Sequence, residues 1–293
     1  MLSALVSRLR LSCLALFAAP LLALGAQAEP ALWKVQGPHA TVWLFGTIHL
    51  LKPDTAWRDS AVDQALKASQ ALYLEVPNID DQANNRAVVL KYGVDPKHPL
   101  STRLDPLQRA ALIKVLADYN VPEAQLEPLR PWLAATVVES LPLLKAGFDP
   151  KQGVEMSLMA EARAAGKPVK GFETTEEQAR YLADLPKPEE TAFLMSAIDD
   201  ANQGLGEIDK LTSAWQAGDL KTIDDLVNQD VARASPSLYK ILIVDRNARF
   251  ASAIADLAKG SGTTFVALGA GHFAGDDSIQ ADLAKLGLVA TRQ

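Results

Sequence analysis

The chain has 293 residues, of which 29 are basic and 35 acidic, with a formal net charge of −6. This excess of negative charge argues against nucleic acid or an anionic membrane as the binding partner. A chain of this length buries roughly 70–75% of its unfolded surface, which is enough for a large core. No low-complexity tract or short-period repeat occurs, so we expect one domain or two interleaved lobes.

Residues 1–28 have the pattern of a secretory signal peptide. Arg8 and Arg10 supply a basic start, Leu11–Leu24 is apolar, and an A-x-A motif ends at Ala28. The apolar run is short for the alternative, a retained anchor, because a membrane span needs ~20 residues. We therefore predict cleavage after Ala28 and a mature domain, residues 29–293, that is periplasmic or secreted without a stable membrane anchor.

The absence of cysteine from the mature chain and of several sequence motifs makes some classes of chemistry less probable. The only cysteine, Cys13, lies in the predicted signal peptide, so the mature chain offers no disulfide, thiolate metal ligand or cysteine nucleophile. The sequence also contains no Walker loop, G-x-G-x-x-G, H-E-x-x-H or G-x-S-x-G motif. The commonest nucleotide-binding and serine-hydrolase functions are therefore not indicated.

Apolar runs alternate with helical patterns, which predicts an α/β (mixed α+β) fold with a mixed central sheet. Consecutive apolar residues are typical of strands covered on both faces. The predicted strands, of which the last is the weakest, are Thr41–His49, Ala71–Val76, Pro168–Phe172, Thr263–Gly269 and Leu288–Thr291. The stretches from about 100 to 150 and from 185 to 235 are almost purely helical, and we expect a helical lobe over the sheet.

Capping signals mark several helices. Asp105 followed by proline predicts a helix start, and Gly166 predicts the end of a helix over Val154–Ala165. The segment Thr175–Gln178 matches a capping box. The longest predicted helix runs from Pro236 to Lys259.

The spacing G-x-x-H occurs twice, each time at the end of a predicted strand. Gly46 precedes His49 and Gly269 precedes His272. Ligands gather at the carboxyl ends of strands in open α/β sheets. A single strand-end histidine is more often structural, but the duplicated spacing gives a ligand site equal weight with a structural role. The other histidines, which we expect to be exposed and without a role, are His39 and His98.

Carboxylates follow two further strands. Glu75 and Glu173 each close a predicted strand, and with the two histidines they offer nitrogen and oxygen ligands for a divalent cation. A strand-end glutamate taken alone is more often a helix cap or a surface charge. Glu155 lies at the start of a helix, where the helix dipole alone explains an acidic residue.

Arg246 falls within the apolar stripe of the longest helix, between Ile243 and Phe250. A guanidinium cannot lose its proton, so it needs an anionic partner or a water-filled cleft. Two interpretations remain open from the pattern. Arg246 either forms a structural ion pair with an internal glutamate or binds a substrate carbonyl or oxyanion.

Five segments together resemble the TraB/GumN family: "LFGTIHL", "LYLEVP", "GVEMSLMAEARAAGKPVKGFETTEEQ", "LIVDRNARF" and "ALGAGHFAGDD". The family is related to the Tiki metalloproteases and, more remotely, to erythromycin esterases and ChaN-like proteins. The resemblance implies two related halves, each with one G-x-x-H motif. It also implies a common site lined by His49, His272 and Glu75, with Arg246 pointing towards it. Glu155 and Glu173 match further acidic positions of the family.

For Tiki-like members the resemblance implies peptide hydrolysis with a divalent metal ion, typically manganese or cobalt. Other members are described as shutting down peptide pheromones, and the GumN name comes from an exopolysaccharide gene cluster. This chain departs from the family pattern at Ser278, where a glycine is frequent, and at Phe250, where tryptophan is usual. Neither position is a proposed ligand.

We therefore expect an exported metal-dependent hydrolase acting on peptides or another small envelope substrate. His49 and His272, with Glu75 or Glu155, would bind manganese or cobalt, with zinc or iron as other candidates. Glu173 would accept a proton, and Arg246 would stabilise the oxyanion.

Two alternatives remain open. A metal-free enzyme would use one histidine as the base and a glutamate to hold its tautomer. A binding protein would instead sequester a peptide or an envelope glycan without turnover. No interface pattern stands out in the sequence, so it predicts no oligomeric state.

Overall fold

The computed structural model describes residues 29–293. The predicted signal peptide lies outside the described residues. The fold is mixed α/β, as the sequence predicts, with one six-stranded sheet of parallel and antiparallel strands. Within residues 29–293, no helix is long and apolar enough to cross a membrane.

The strand order across the sheet is β4-β3-β5-β2-β1-β6. The four strands from β4 to β2 are parallel, whereas β1 is antiparallel to both of its neighbours. The strands are β1 Leu32–Gln36, β2 Ala40–Thr47, β3 Ala71–Leu74, β4 Val169–Gly171, β5 Gly262–Gly269 and β6 Ala290–Arg292. All five predicted strands are confirmed, with ends that differ by one or two residues. Strand β1 was not predicted, because Lys34 and Gln36 lie within its five residues, so it has no long run of consecutive apolar residues.

Helices fill the intervals between the strands. The α-helices are α1 Ser60–Ala68, α2 Gln82–Gly93, α3 Pro106–Asp118, α4 Pro131–Lys145, α5 Val154–Ala164, α6 Thr175–Ala183, α7 Lys187–Gln203, α8 Gly206–Gln216, α9 Leu220–Ile223, α10 Gln229–Ala234, α11 Pro236–Tyr239, α12 Asp245–Lys259 and α13 Ile279–Lys285. Short 3₁₀ turns cover Leu100–Thr102, Glu123–Gln125, Pro150–Gln152 and Ala270–Phe273, and π-helical turns cover Asp224–Asn228 and Lys240–Val244.

The sheet is covered on both faces, which explains why its strands are apolar on consecutive residues. On one face, Phe45 and Phe265 pack with residues of α1, α5 and α8. On the other face, Leu44 and Val266 pack with residues of α12 and α13. Neighbouring residues of one strand thus enter different cores, as the period of two in a strand requires.

The helical lobe predicted from the sequence is present and has an apolar core of its own. Its centre is formed by α3, α4 and α7, with Leu112, Val138 and Ile198 among the fully buried residues. At one end of this lobe, Arg130 forms an ion pair with the buried Glu190. Arg130 also donates to the carbonyls of Tyr92 and Ala183, so one guanidinium links α4 to α2, α6 and α7.

Two predicted helix features differ in detail from the structure. The capping box begins at Thr174 and closes with Glu177, one residue earlier than predicted, because Thr174 keeps an extended backbone after β4. The predicted helix Pro236–Lys259 is a continuous helical run, but a π turn interrupts its α-helical geometry. A π turn contains more residues than an α-helical turn, so it rotates the side chains that follow it about the helix axis. Such turns are frequent at functional sites.

We predict that Glu190→Ala lowers the free energy of unfolding by about 3–5 kcal/mol, because it leaves the guanidinium of Arg130 without its anionic partner. Urea unfolding followed by circular dichroism would measure the change. Glu161→Ala is the matched control, since it breaks the exposed pair with Arg58, where we expect a change within about 1 kcal/mol. Equal losses of unfolding free energy in the two variants would contradict a special role for the buried pair of Arg130 and Glu190.

Candidate functional site

Both G-x-x-H segments lie at the same edge of the sheet. Strands β2 and β5 are adjacent and parallel, with Thr47 opposite Gly269 at their carboxyl ends. His49 lies two residues beyond β2, and His272 lies in the 3₁₀ turn directly after β5. Strand β3 pairs with the other side of β5 and brings Glu75 to this edge, one residue after Leu74.

The tautomer of His272 is set by Asn247. The Asn247 amide nitrogen donates to the carbonyl of Asp277 at 2.7 Å, so its Oδ1 is left as the acceptor. This Oδ1 lies 2.6 Å from Nδ1 of His272, which must therefore carry the ring proton. Burial lowers the pKa of His272 to about 4. The ring is neutral at neutral pH and presents the lone pair of Nε2.

His49 is held in the same way by a carboxylate. Its Nδ1 lies 2.7 Å from Oε1 of Glu155, and the Thr47 hydroxyl donates to the same oxygen. Glu155 is buried, whereas the side chain of His49 is 63% exposed. The charge of Glu155 raises the pKa of His49 to about 9. Burial opposes ionisation of Glu155, but His49 outweighs it and lowers the pKa of that carboxyl.

A close backbone contact fixes His49 relative to α5. A Cβ added at Gly153 would lie only 2.2 Å from the carbonyl oxygen of His49. Val154 donates its backbone N–H to Ile48 at 3.1 Å. Glycine at position 153 thus lets the first turn of α5 approach the loop after β2, and Glu155 in that turn reaches the imidazole.

Glu75 is held from both sides. Its Oε1 accepts from the backbone N–H of Gly269 at 2.8 Å, and its Oε2 accepts from Arg246 at 2.6 Å and Gln178 at 3.0 Å. Burial opposes ionisation of this carboxyl. Three neighbours hold its pKa well below the usual range: His272, which is protonated only at low pH where Glu75 titrates, Arg246 and His49. The Oε1 atom lies 3.6 Å from Nε2 of His272.

Gly269 marks the point around which three of these side chains meet. A Cβ added there would lie 3.2 Å from Oε1 of Glu75, 3.7 Å from Nε2 of His49 and 3.7 Å from Cδ2 of His272. A methyl group at this position would therefore contact all three side chains. We call His49, Glu75 and His272 around this glycine the Gly269 site.

The donor chemistry of the Gly269 site fits a divalent cation. Two imidazole nitrogens and one carboxylate oxygen are ligands that manganese, cobalt, iron and zinc accept. Both imidazoles bind an oxygen through Nδ1, which is the usual arrangement behind metal-binding histidines. Within residues 29–293, however, no three histidine, cysteine, aspartate or glutamate side chains are already gathered as ligands. His49, the exposed member, has the most room to adjust.

Arg246 forms an internal ion pair with Glu173, which is one of the two roles that the sequence left open. Its Nε and Nη2 donate to the two oxygens of Glu173 at 3.0 and 2.8 Å, and the same Nη2 donates to Glu75. Glu173 is buried and also accepts from Tyr181 and Arg249. Burial opposes its ionisation, but Arg246 outweighs this and lowers the pKa of Glu173.

The structure thus brings His49, His272 and Glu75 together and places Arg246 in contact with Glu75. The other two predicted residues, Glu155 and Glu173, lie behind His49 and Arg246 respectively. The remaining histidines are exposed, as predicted. Sequence reasoning missed three residues that orient the site, namely Thr47, Gln178 and Asn247. Asn247 could have been found as a second polar residue beside Arg246 in the apolar stripe.

The Gly269 site borders an open cleft of about 300 Å³. Its polar lining comes from His49, Glu75, Glu155 and Gln178, and its apolar lining includes Ile79 and Met156. This volume is at the lower end of the range of small-molecule pockets. The cleft can therefore take a few residues of an extended peptide or a comparably small molecule.

The sequence profile of the TraB/PrgY/gumN family matches residues 31–292. This match includes every residue of the Gly269 site. A protein of Treponema pallidum (strain Nichols), described as an uncharacterized protein, is 22% identical over 282 residues, which cover 91% of this chain and 84% of that protein. No solved structure matches the chain.

We predict that the two site histidines titrate far apart, with His272 near pH 4 and His49 near pH 9 in the metal-free protein. The pairing of His49 then stabilises the fold fully below pH 6.5 and is lost as the pH rises through about 9. Keeping His272 neutral stabilises the fold above pH 6.5 and is lost as the pH falls through about 4.

Glu155→Gln should lower the pKa of His49 towards 6.5 because the neutral amide cannot stabilise the imidazolium. Histidine ring resonances measured by NMR against pH would test this. Glu161→Gln, an exposed residue of the same helix, is the control that should leave both titrations unchanged. A His49 pKa that is the same in the parent and in Glu155→Gln would refute the ion pair.

Proposed function

The chain belongs to the TraB/PrgY/gumN family, and we propose that it is a metal-dependent hydrolase that acts on peptides at the Gly269 site. The observation that carries the proposal is the convergence of His49 Nε2 and the Glu75 carboxylate on Gly269, beside His272. Each imidazole is bound through Nδ1 by another side chain, so Nε2 is the nitrogen that would bind an ion. At His49 the ion would displace the proton that Nε2 carries at neutral pH.

His49, His272 and Glu75 would hold the ion, for which the family resemblance favours manganese or cobalt over zinc or iron. A divalent ion bound there supplies an acidified water and polarises a scissile carbonyl. Glu155 supports the site through His49, since its Oε1 already binds Nδ1 and the Thr47 hydroxyl. In this proposal Glu155 orients a ligand and is not itself one.

Arg246 and Glu173 have the contacts of positioning residues. Arg246 keeps Glu75 ionised and holds the Oε2 atom of Glu75 by a hydrogen bond. Glu173 is the second carboxylate that pairs with the guanidinium group. Both carboxylate oxygens of Glu173 are occupied by donors, which disfavours it as the proton acceptor. The proton-accepting role of Glu173 and the oxyanion role of Arg246 remain predictions from the sequence.

The cleft beside the site favours small or extended substrates. Gln178 lines this cleft and donates to both Glu75 and Glu173. It therefore links the two buried carboxylates to the cleft in which a substrate would bind. Cleavage of the predicted signal peptide would place this activity in the periplasm or outside the cell. Short envelope peptides are therefore the substrates that we propose.

The pair of His49 and Glu155 favours one second candidate, a metal-free hydrolase with His49 as the base. Its Nδ1 is fixed by Glu155 and its Nε2 faces the site. The raised pKa of His49 means that the imidazole holds its proton at neutral pH. A metal-free enzyme would accordingly gain activity as the pH rises towards about 9, and it would not respond to chelators.

We predict about one equivalent of manganese, cobalt, iron or zinc in protein purified without a chelator or an affinity tag. The double variant His49→Ala/His272→Ala should lose this metal while keeping its circular dichroism spectrum, and it should lose activity in a peptide-library cleavage screen. Elemental mass spectrometry measures the metal. Metal-free parent protein, even after reconstitution, would contradict the proposal and leave the metal-free candidate.

We predict that Gly269→Ala reduces both metal content and peptide cleavage by about 100-fold or more, because its methyl group would crowd Glu75 Oε1 at 3.2 Å and contact both histidines. The fold should persist, since Gly269 has a φ of −49° that alanine adopts readily. Gly206→Ala is the control, because a Cβ there meets no atom within 4 Å. Full activity in Gly269→Ala would place the chemistry elsewhere.

A further inference from the structure

A second cleft, of about 610 Å³, opens between the helical lobe and the segment from residue 224 to residue 238. It shares no lining residue with the cleft beside the Gly269 site. Five acidic residues line it, against a single basic residue, Arg233, which already pairs with Asp230. The other four acids are Glu139, Asp199, Asp200 and Glu207.

In the part of the chain that the structure describes, these four carboxylates have no compensating partner. Within residues 29–293, none of them forms an ion pair or a side-chain hydrogen bond. Burial and the charge of Asp200 raise the pKa of Glu139 to about 7. Burial, Glu207 and Asp199 likewise raise the pKa of Asp200. Glu139 is half-buried, whereas Asp199, Asp200 and Glu207 are exposed, so the cost of holding these like charges together falls mainly on Glu139 and Asp200.

The remaining lining of this cleft is largely apolar. Phe193 from α7, Leu211 from α8, and Leu226, Val231 and Leu238 from the opposite wall contribute hydrophobic surface. A small hydrated cation would gain nothing from such a lining. The described residues also contain no group of three acids placed closely enough to hold a metal ion. The occupant must instead be long enough to reach separated carboxylates and apolar enough to cover the wall between them.

We propose that this acidic cleft binds a basic, amphipathic peptide segment, with lysine or arginine side chains against the carboxylates and apolar side chains against Phe193 and Val231. The complementarity of charge selects a cationic segment and disfavours an acidic one, since like charges across an interface are costly. An amphipathic segment in a hydrophobic groove is a recurring mode of peptide recognition. The binding is independent of any turnover at the Gly269 site.

One wall of the acidic cleft also supports His272. Leu226 and Val227 line the cleft, and the next residue, Asn228, donates to the carbonyls of Gly271 and Ala274 at 3.0 and 3.1 Å. These two carbonyls lie on either side of His272 in the sequence. A peptide bound in the acidic cleft therefore contacts the segment that holds one of the two histidines, and the His272 ring resonances should shift on binding.

The test measures binding of a fluorescent peptide of alternating lysine and leucine by anisotropy, without any cleavage assay. A lysine–serine peptide lacks the apolar face, and a glutamate–leucine peptide reverses the charge. The cleft variant is Glu139→Gln/Asp200→Asn/Glu207→Gln. The matched control removes three exposed acids outside the cleft, Asp54→Asn/Asp184→Asn/Asp256→Asn, so both variants have the same net charge.

We expect the lysine–leucine peptide to bind, and its dissociation constant to rise about tenfold or more in the cleft variant and less than about twofold in the control. The other two peptides should bind at least about tenfold more weakly. The cleft variant should be as stable to heat as the parent or more so, because repulsion is removed. Val231→Arg, which keeps every acid but places a cation in the cleft, should also weaken binding.

Three outcomes would overturn the proposal. The first is a dissociation constant that the cleft variant leaves unchanged. The second is an equal loss in the control, which would mean that net charge alone attracts the peptide. The third is no saturable binding of the lysine–leucine peptide to the parent. Each of these results can coexist with a metal-dependent activity at the Gly269 site, so the two proposals fail separately.

Discussion

The parallel ladder between β2 and β5 is the constraint on which the rest of the site depends. It aligns Thr47 with Gly269, so that both motif histidines leave the sheet at one edge. Strand β3 pairs with the far side of β5 and delivers Glu75 to the same edge. At the end of this ladder, the backbone N–H of Gly269 donates to the Glu75 carboxylate. The sheet thereby fixes the order of the three side chains before any substrate or ion is present.

Gathering charge at a buried edge is unfavourable unless each group is compensated. The fold compensates it with one helix, α12, whose first turn carries Arg246 and Asn247. Arg246 balances Glu75 and Glu173, while Asn247 holds His272 in one tautomer and burial keeps that ring neutral. Because both residues stand in the apolar stripe that packs on the sheet, the orientation of the site depends on the same packing that stabilises the domain.

The carboxylates of the Gly269 site are paired with donors, whereas within residues 29–293 most of those in the acidic cleft are not. Around the Gly269 site nearly every carboxylate oxygen has a donor, so that region is complete in the free protein and suits a pre-organised centre. In the acidic cleft of the helical lobe, Glu139 and its neighbours lack cationic partners. Local rules are violated in natural proteins mainly where function requires it. The contrast separates a centre suited to chemistry from a surface suited to recognition.

The sequence by itself determined what depends on short range. Apolar runs located five of the six strands, and the G-x-x-H spacing placed His49 and His272 at strand ends. The stripe of the long helix predicted that Arg246 is buried, as it is. Tertiary structure alone decided which groups meet, because partners such as Thr47 and Glu155 are 108 residues apart. It also decided the capping box, since Thr174 with Glu177 and Thr175 with Gln178 both fit the pattern. A contact with Glu75, 103 residues away in the sequence, and one with the nearby Glu173 draw Gln178 into the site instead.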